Sequence, residues 1–185
     1  AGTVTACTTT FSHSSTGSGA ITSDESTSGT TDKTACKTAP GYIITSSDGA
    51  ADGAITVAAA AAGKYAAGGT ALLDSDGAGR AAETATDCAA GKYSASGAAS
   101  CTDCPTGKTS DAGSAFCGKI AAGFYGAAGA ASGGAYTSHA GTVTACTTTF
   151  SHSSTGSGAI TSDESTSGTT DKTACKTAPG YIITS

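Results

Sequence analysis

The chain has 185 residues and a formal net charge of −5, and Ala, Thr, Gly and Ser supply 125 of those residues. With six Tyr, four Phe and neither Trp nor Met, it has few large side chains to bury, and small ones recover little of the ~1–2 kcal/mol of backbone entropy that ordering each residue costs. This argues against a compact enzyme and for covalent staples, and the scattered basic residues, with no stripe and few interleaved aromatics, argue against a nucleic-acid partner.

In chain order, residues 3–11, TVTACTTTF, are rich in β-branched side chains and predict a strand. Residues 11–34 hold 13 hydroxyl side chains among 24 positions, bracketed by Cys7 and Cys36. Such density predicts an O-glycosylated loop, with Ser12, Ser14, Ser15, Thr16, Ser26 and Thr34 as candidate acceptors. The sequence has no Asn. Asp24, followed by Glu25 and Ser26, and Asp32, followed by Lys33 and Thr34, would be N-glycan acceptors only if those positions were Asn.

Further along, YIITS at 42–46 and AITV at 54–57 predict strands, and the Gly, Ser and Asp clusters at 47–53 and 74–79 predict turns. Residues 58–62 are all Ala, but Gly63 follows at once, so an extended segment is expected rather than a helix. Asp74, Asp76 and Gly77 look like the start of a calcium loop, to which Asp48 and Asp52 could add oxygens. The remaining ligands and the late Glu of such a loop are missing, which leaves a solvated acidic turn and no metal site. No run reaches the roughly 20 apolar residues that a membrane-spanning helix needs.

Residues 140–185 are identical to residues 1–46, at an offset of 139. One period therefore holds six cysteines: Cys7, Cys36, Cys88, Cys101, Cys104 and Cys117. An even number in such a chain reads as a disulfide framework. Six cysteines allow 15 pairings, and the two spacings of 13 favour Cys88–Cys101, Cys104–Cys117 and Cys7–Cys36, with Cys146–Cys175 as the repeat of the last. Cys101 and Cys104 could instead bind zinc or act as a redox pair, but a second close pair and a βαβ setting are both lacking. Residues 107–110, GKTS, end like a phosphate-binding loop, yet Thr102 stands where that loop needs its first Gly. His13 and His139 have no Cys or Asp at ligand spacing and read as surface residues.

Residues 88–117, CAAGKYSASGAASCTDCPTGKTSDAGSAFC, resemble the ephrin-receptor-like cysteine-rich repeat. That pattern runs Cys-x-x-Gly-x-Tyr-Ser, Gly, then Cys-x-x-Cys-Pro-x-Gly, and Gly91, Tyr93, Ser94, Gly97, Pro105, Gly107, Ser110 and Gly113 fall where it wants them. Fainter copies lie at 61–65 and 121–126, where Ala60 and Ile120 stand at the cysteine positions, and around residues 36–42 and 85–88. The resemblance implies a secreted or cell-surface protein and says nothing of an activity. The expected fold is mainly β: small disulfide-rich tandem modules with much irregular structure in an extended repeat architecture. Four segments are expected: a Thr/Ser-rich β module at 1–46 with one disulfide, a degenerate Ala/Gly-rich linker module at 47–84, ephrin-receptor-like modules at 85–139, and the repeat at 140–185. The expected role is that of a non-enzymatic subunit of an extracellular filament, mastigoneme-like, from a protist or alga. Its expected partners are copies of itself and covalent glycans, with no cofactor. The alternative is a cysteine-rich surface antigen or adhesion module that does not polymerise.

Overall fold

The computed structural model describes residues 7, 20–23, 36–51, 54–73, 78–132, 135–146, 160–162 and 175–179. These residues are almost free of helix and form sixteen short strands, paired as eight two-stranded antiparallel sheets. Four disulfides take up all eight cysteines. Two compact units result: residues 1–87 with 94–101, and residues 88–93 with 102–185.

In the first unit, β1 (Ile21–Ser23) pairs with β2 (Cys36–Thr38), Ile21 opposite Thr38. β3 (Tyr42–Ile44) pairs with β4 (Val57–Ala59), and β5 (Lys64–Tyr65) with β6 (Thr86–Asp87). The other edge of β2 is also occupied. Ala71 bridges Lys37, Thr38 N–H donates to the Thr70 carbonyl at 2.8 Å, and Leu72 N–H donates to the Cys36 carbonyl at 2.9 Å.

Several of the described large apolar side chains of this unit converge. Ile21, Ile44, Ile55, Val57, Leu72 and Leu73 form one core with Ala20 and Cys36. Ile44, Val57 and Leu72 have no exposed surface at all. Each such side chain contributes about 1.5–3 kcal/mol by leaving water. Residues from 47–84 thus share a core with residues from 1–46. The strand expected at 54–57 begins only at Val57 and runs to Ala59. Its place is set by the partner, because Ile44 lies opposite Val57 and Tyr42 opposite Ala59. Ala54 is instead held in a tight turn, its N–H donating to the Ala51 carbonyl at 2.7 Å.

In the second unit, β7 (Lys92–Tyr93) pairs with β8 (Thr102–Asp103), and β9 (Lys108–Thr109) with β10 (Lys119–Ile120). β11 (Phe124–Gly126) skips over the hairpin of β12 (Ala131–Ser132) and β13 (Ala135–Tyr136) to pair with β14 (Val143–Ala145). β15 (Ile160–Thr161) pairs with β16 (Lys176–Thr177). Cys88, Cys117, Ile120, Ala140 and Cys146 are its buried apolar residues among those described.

Two expectations meet this unit. Residues 142–150 repeat the predicted strand at 3–11, but β14 ends at Ala145 and Cys146 is helical. The partner runs out there: opposite Ala145 lies Phe124, and the chain before it bends into a turn. Across the 139-residue offset, β15 and β16 keep the register of β1 and β2, Ile160 opposite Thr177 and Thr161 opposite Lys176. Cys7–Cys36 and Cys146–Cys175 each close a separation of 29 residues.

Candidate functional site: glycine turns and the groups that lock them

One local device recurs through both units. At residues 39–42, 61–64, 89–92, 105–108 and 121–124 the fourth residue returns its N–H to the carbonyl of the first, at 3.0–3.2 Å. The third is always Gly, with φ between 78° and 88°. That is the arrangement of a type II turn, whose third position needs positive φ and hence Gly. A strand follows each turn at once, which is why β3, β5, β7, β9 and β11 begin where they do.

The turn glycines are joined to later hairpins of the same unit. Gly41 N–H donates to the Ala66 carbonyl at 2.8 Å, Gly63 to Ser94 at 2.9 Å, Gly91 to Ser110 at 3.0 Å and Gly123 to Ser162 at 3.1 Å. In the reverse direction Ala60, Cys104, Ala121 and Cys146 donate N–H to the carbonyls of Gly41, Gly91, Gly107 and Gly123, at 2.8–2.9 Å.

Three serines strengthen the joints. The hydroxyls of Ser94, Ser110 and Ser162 donate to the carbonyls of Lys64, Lys92 and Phe124, at 2.8, 2.7 and 2.6 Å. All three serines are buried. Each bridges the residue after a turn glycine, while its own carbonyl serves that glycine. A buried hydroxyl without such an acceptor would be penalised, so the sites select Ser where the carbonyl is in reach.

Charged pairs decorate the hairpins. Lys64 lies opposite Asp87 and reaches it at 2.6 Å, and Lys92 lies opposite and bonds Asp103. Lys119 reaches Asp111 at 2.9 Å. The acidic partners are well exposed, so each pair contributes on the order of 0–1 kcal/mol and sets register more than stability.

Two further polar groups were not marked by their sequence context. Glu83 accepts from Ile44 N–H at 3.2 Å and from the Thr70 hydroxyl at 2.6 Å. Its own N–H returns to the Ile44 carbonyl at 2.9 Å. His139 is half-buried rather than a plain surface residue. Its Nδ1 accepts from Cys117 N–H at 3.1 Å, and its ring meets Tyr93 and Phe116 edge to face, with centroids 4.5 and 5.6 Å apart. Neither role has a local signal, because both partners are far away in sequence.

The sequence candidates are placed as follows. Cys104 is bonded to Cys117, Cys7 to Cys36 and Cys146 to Cys175, and Cys88 and Cys101 are likewise disulfide-bonded. Cys101 and Cys104 therefore offer no thiolate pair. In GKTS, Gly107 is a turn glycine, Lys108 and Thr109 form β9, and Ser110 locks onto Lys92. Ser12, Ser14, Ser15, Thr16, Asp24, Ser26, Asp32 and Thr34 lie outside the described residues, as do His13, Asp52, Asp74 and Asp76. Among the described residues no three His, Cys, Asp or Glu side chains cluster as metal ligands, and no helix is long and apolar enough to cross a membrane. Comparison with protein-family models, with curated proteins and with solved structures finds no match.

Proposed function

We propose that the chain is a structural subunit of an extracellular, glycosylated filament built from 139-residue tandem repeats. The observation that carries this reading is the identity of residues 1–46 and 140–185, together with the common register of β1–β2 and β15–β16. A unit that repeats its own sequence and keeps the register of one hairpin in both copies is suited to addition along one axis. Interactions in such an array are made mainly with neighbours. Four disulfides favour an oxidising compartment such as the cell exterior. The resemblance to ephrin-receptor-like repeats and the hydroxyl-rich sequence at 11–34 favour a glycosylated surface location. Disulfides and serine locks would supply stiffness, and repetition would supply length. No residue is assigned a catalytic role.

Electron micrographs of the native material, with peptide mass spectrometry of the same sample, test the reading. Long fibres with an axial repeat set by one 139-residue period, and sugar masses on peptides covering 11–34, are expected. Monomers of fixed size would favour the non-polymerising surface module instead.

A further inference from the structure

Residues 60–87 are built like the module that carries the Cys104–Cys117 bridge. In that module Cys104 stands three residues before the turn glycine Gly107, and its N–H donates to the Gly91 carbonyl at 2.9 Å. Lys108 N–H closes the turn on the Pro105 carbonyl at 3.0 Å, β9 follows, and Cys117 stands two residues before the partner strand β10. Cys104 Sγ lies 3.6 Å from the hydroxyl of Ser110, the residue after β9. In residues 60–87 Ala60 stands three residues before Gly63, and its N–H donates to the Gly41 carbonyl at 2.8 Å. Lys64 N–H closes the turn on the Ala61 carbonyl at 3.0 Å, β5 follows, and Ala85 stands directly before the partner strand β6. Ala66 follows β5 as Ser110 follows β9. Ala60, Ala66 and Ala85 are buried together in one cluster, against which Ile43 packs.

We propose that Ala60 and Ala85 occupy an unbridged disulfide position, and that residues 60–87 are a further module of the 104–120 kind, held by an alanine contact instead of a bridge. Ala60, Ala66 and Ala85 are the counterparts of Cys104, Ser110 and Cys117. Sequence shows only two separate fragments of the pattern, at 61–65 and 85–88; the shared cluster makes them the two ends of one module. Ala60 and Ala85 are 25 positions apart, against 13 for Cys104 and Cys117. The extra residues leave the module between β5 and β6, where Gly69 and Thr70 bond to Thr38 and Ala71 bridges Lys37. The longer connection therefore packs on β2 and leaves the two ends together. Cysteines at 60 and 85 would add only a sulfur to each of two side chains that already share a buried site. The inference is independent of the filament reading.

The test is the full chain carrying Ala60→Cys and Ala85→Cys, refolded in a glutathione buffer. Oxidised glutathione takes two electrons and two protons from the thiol pair, which closes the S–S bond, and leaves as two reduced molecules. Peptide mass spectrometry without reduction should find residues 60 and 85 joined, with the Cys7–Cys36, Cys104–Cys117 and Cys146–Cys175 bridges kept. The oxidised variant should melt several degrees above the parent, because the new bridge constrains the unfolded chain. A control pair, Ala60→Cys with Ala81→Cys at the exposed Ala81, should not join. Each single variant, Ala60→Cys or Ala85→Cys, should fold and keep its thiol from alkylation until the chain is unfolded. Unjoined cysteines at 60 and 85, exchange of partners with the native cysteines, a melting temperature below the parent's, or equal joining of the control pair overturns the proposal. If the double variant does not fold, the single variants decide. Failure of either shows that the site has no room for the sulfur, and folding of both shows that the two side chains are not placed for a bridge; each result overturns the proposal.

Discussion

Thr70 donates its hydroxyl to Glu83 at 2.6 Å, and through that bond the loop that covers β2 is tied to the edge of β3. Thr70 N–H also reaches the hydroxyl of the buried Thr38 at 3.2 Å, and Glu83 exchanges two further bonds with Ile44. Four residues from four places in the sequence thus hold the side of one core. Glu83→Ala leaves the Ile44 N–H and the Thr70 hydroxyl without their acceptor. It should destabilise the first unit by about 1.5–3 kcal/mol, the range for bonds to a charged group. Denaturant unfolding of the variant checks this, and a change under 0.5 kcal/mol would show that the network is dispensable.

The serine locks make a reciprocal prediction. Ser94→Ala and Ser110→Ala should each cost about 0.5–1.5 kcal/mol. At the matching place in the Gly41 joint stands Ala66, whose carbonyl accepts from Gly41. Ala66→Ser would bring a hydroxyl to the Tyr42 carbonyl and should stabilise by a similar amount. Opposite signs in thermal unfolding would bear out the device, whereas a loss of stability in all three would mean that the first joint has no room for the hydroxyl.

Two turn glycines separate backbone strain from crowding. Gly107 has φ 78°, and a Cβ there would come within 2.7 Å of Phe124 Cδ1 and Val143 Cγ2. Gly123 has φ 84°, with nothing within 4 Å of such a Cβ. Gly123→Ala should therefore cost only the left-handed penalty of about 1–2 kcal/mol. Gly107→Ala should exceed it by about 1 kcal/mol or more, because the Phe124 ring and the Val143 side chain must shift. Equal losses would locate the effect in φ alone.

His139→Phe keeps an edge-to-face ring near Tyr93 but removes the acceptor of Cys117 N–H. An unsatisfied buried donor costs about 1–3 kcal/mol, and the Cys117 amide should exchange markedly faster. His139→Gln, which retains an acceptor, should recover part of both. Unchanged exchange in the phenylalanine variant would count against the bond.

The disulfides differ in the length of chain they close: 29 residues for Cys7–Cys36 and 13 for Cys104–Cys117. In the chain-entropy account, replacing both cysteines of the longer bridge should cost about 0.7 kcal/mol more than the same change in the shorter one. Paired Cys→Ser variants compared by calorimetry measure the difference. The reverse order would mean that native contacts around Cys117, not loop closure, dominate.

Sequence alone carried several of the local features. Gly in the third place of APGY, AAGKY, PTGKT and AAGFY carries its own turn, because only Gly tolerates positive φ there without strain. An even cysteine count in a chain so poor in large apolar side chains was enough for a small, disulfide-rich β structure, since little else could offset the entropy of ordering it. The strand expected over YIITS at 42–46 is found at Tyr42–Ile44. What only the tertiary structure decided is which distant segments meet. The expected strand at 54–57 moved to Val57–Ala59 because Tyr42 and Ile44 set the register, and the strand after residue 142 stopped at Ala145 because its partner bends away at Gly123. Ala71 beside Lys37, Glu83 at Ile44 and His139 at Cys117 join residues 22 to 39 positions apart. No local propensity encodes such pairs. They exist because a handful of isoleucines, leucines and valines can leave water only together, and the backbone groups carried in with them must then find partners across the core.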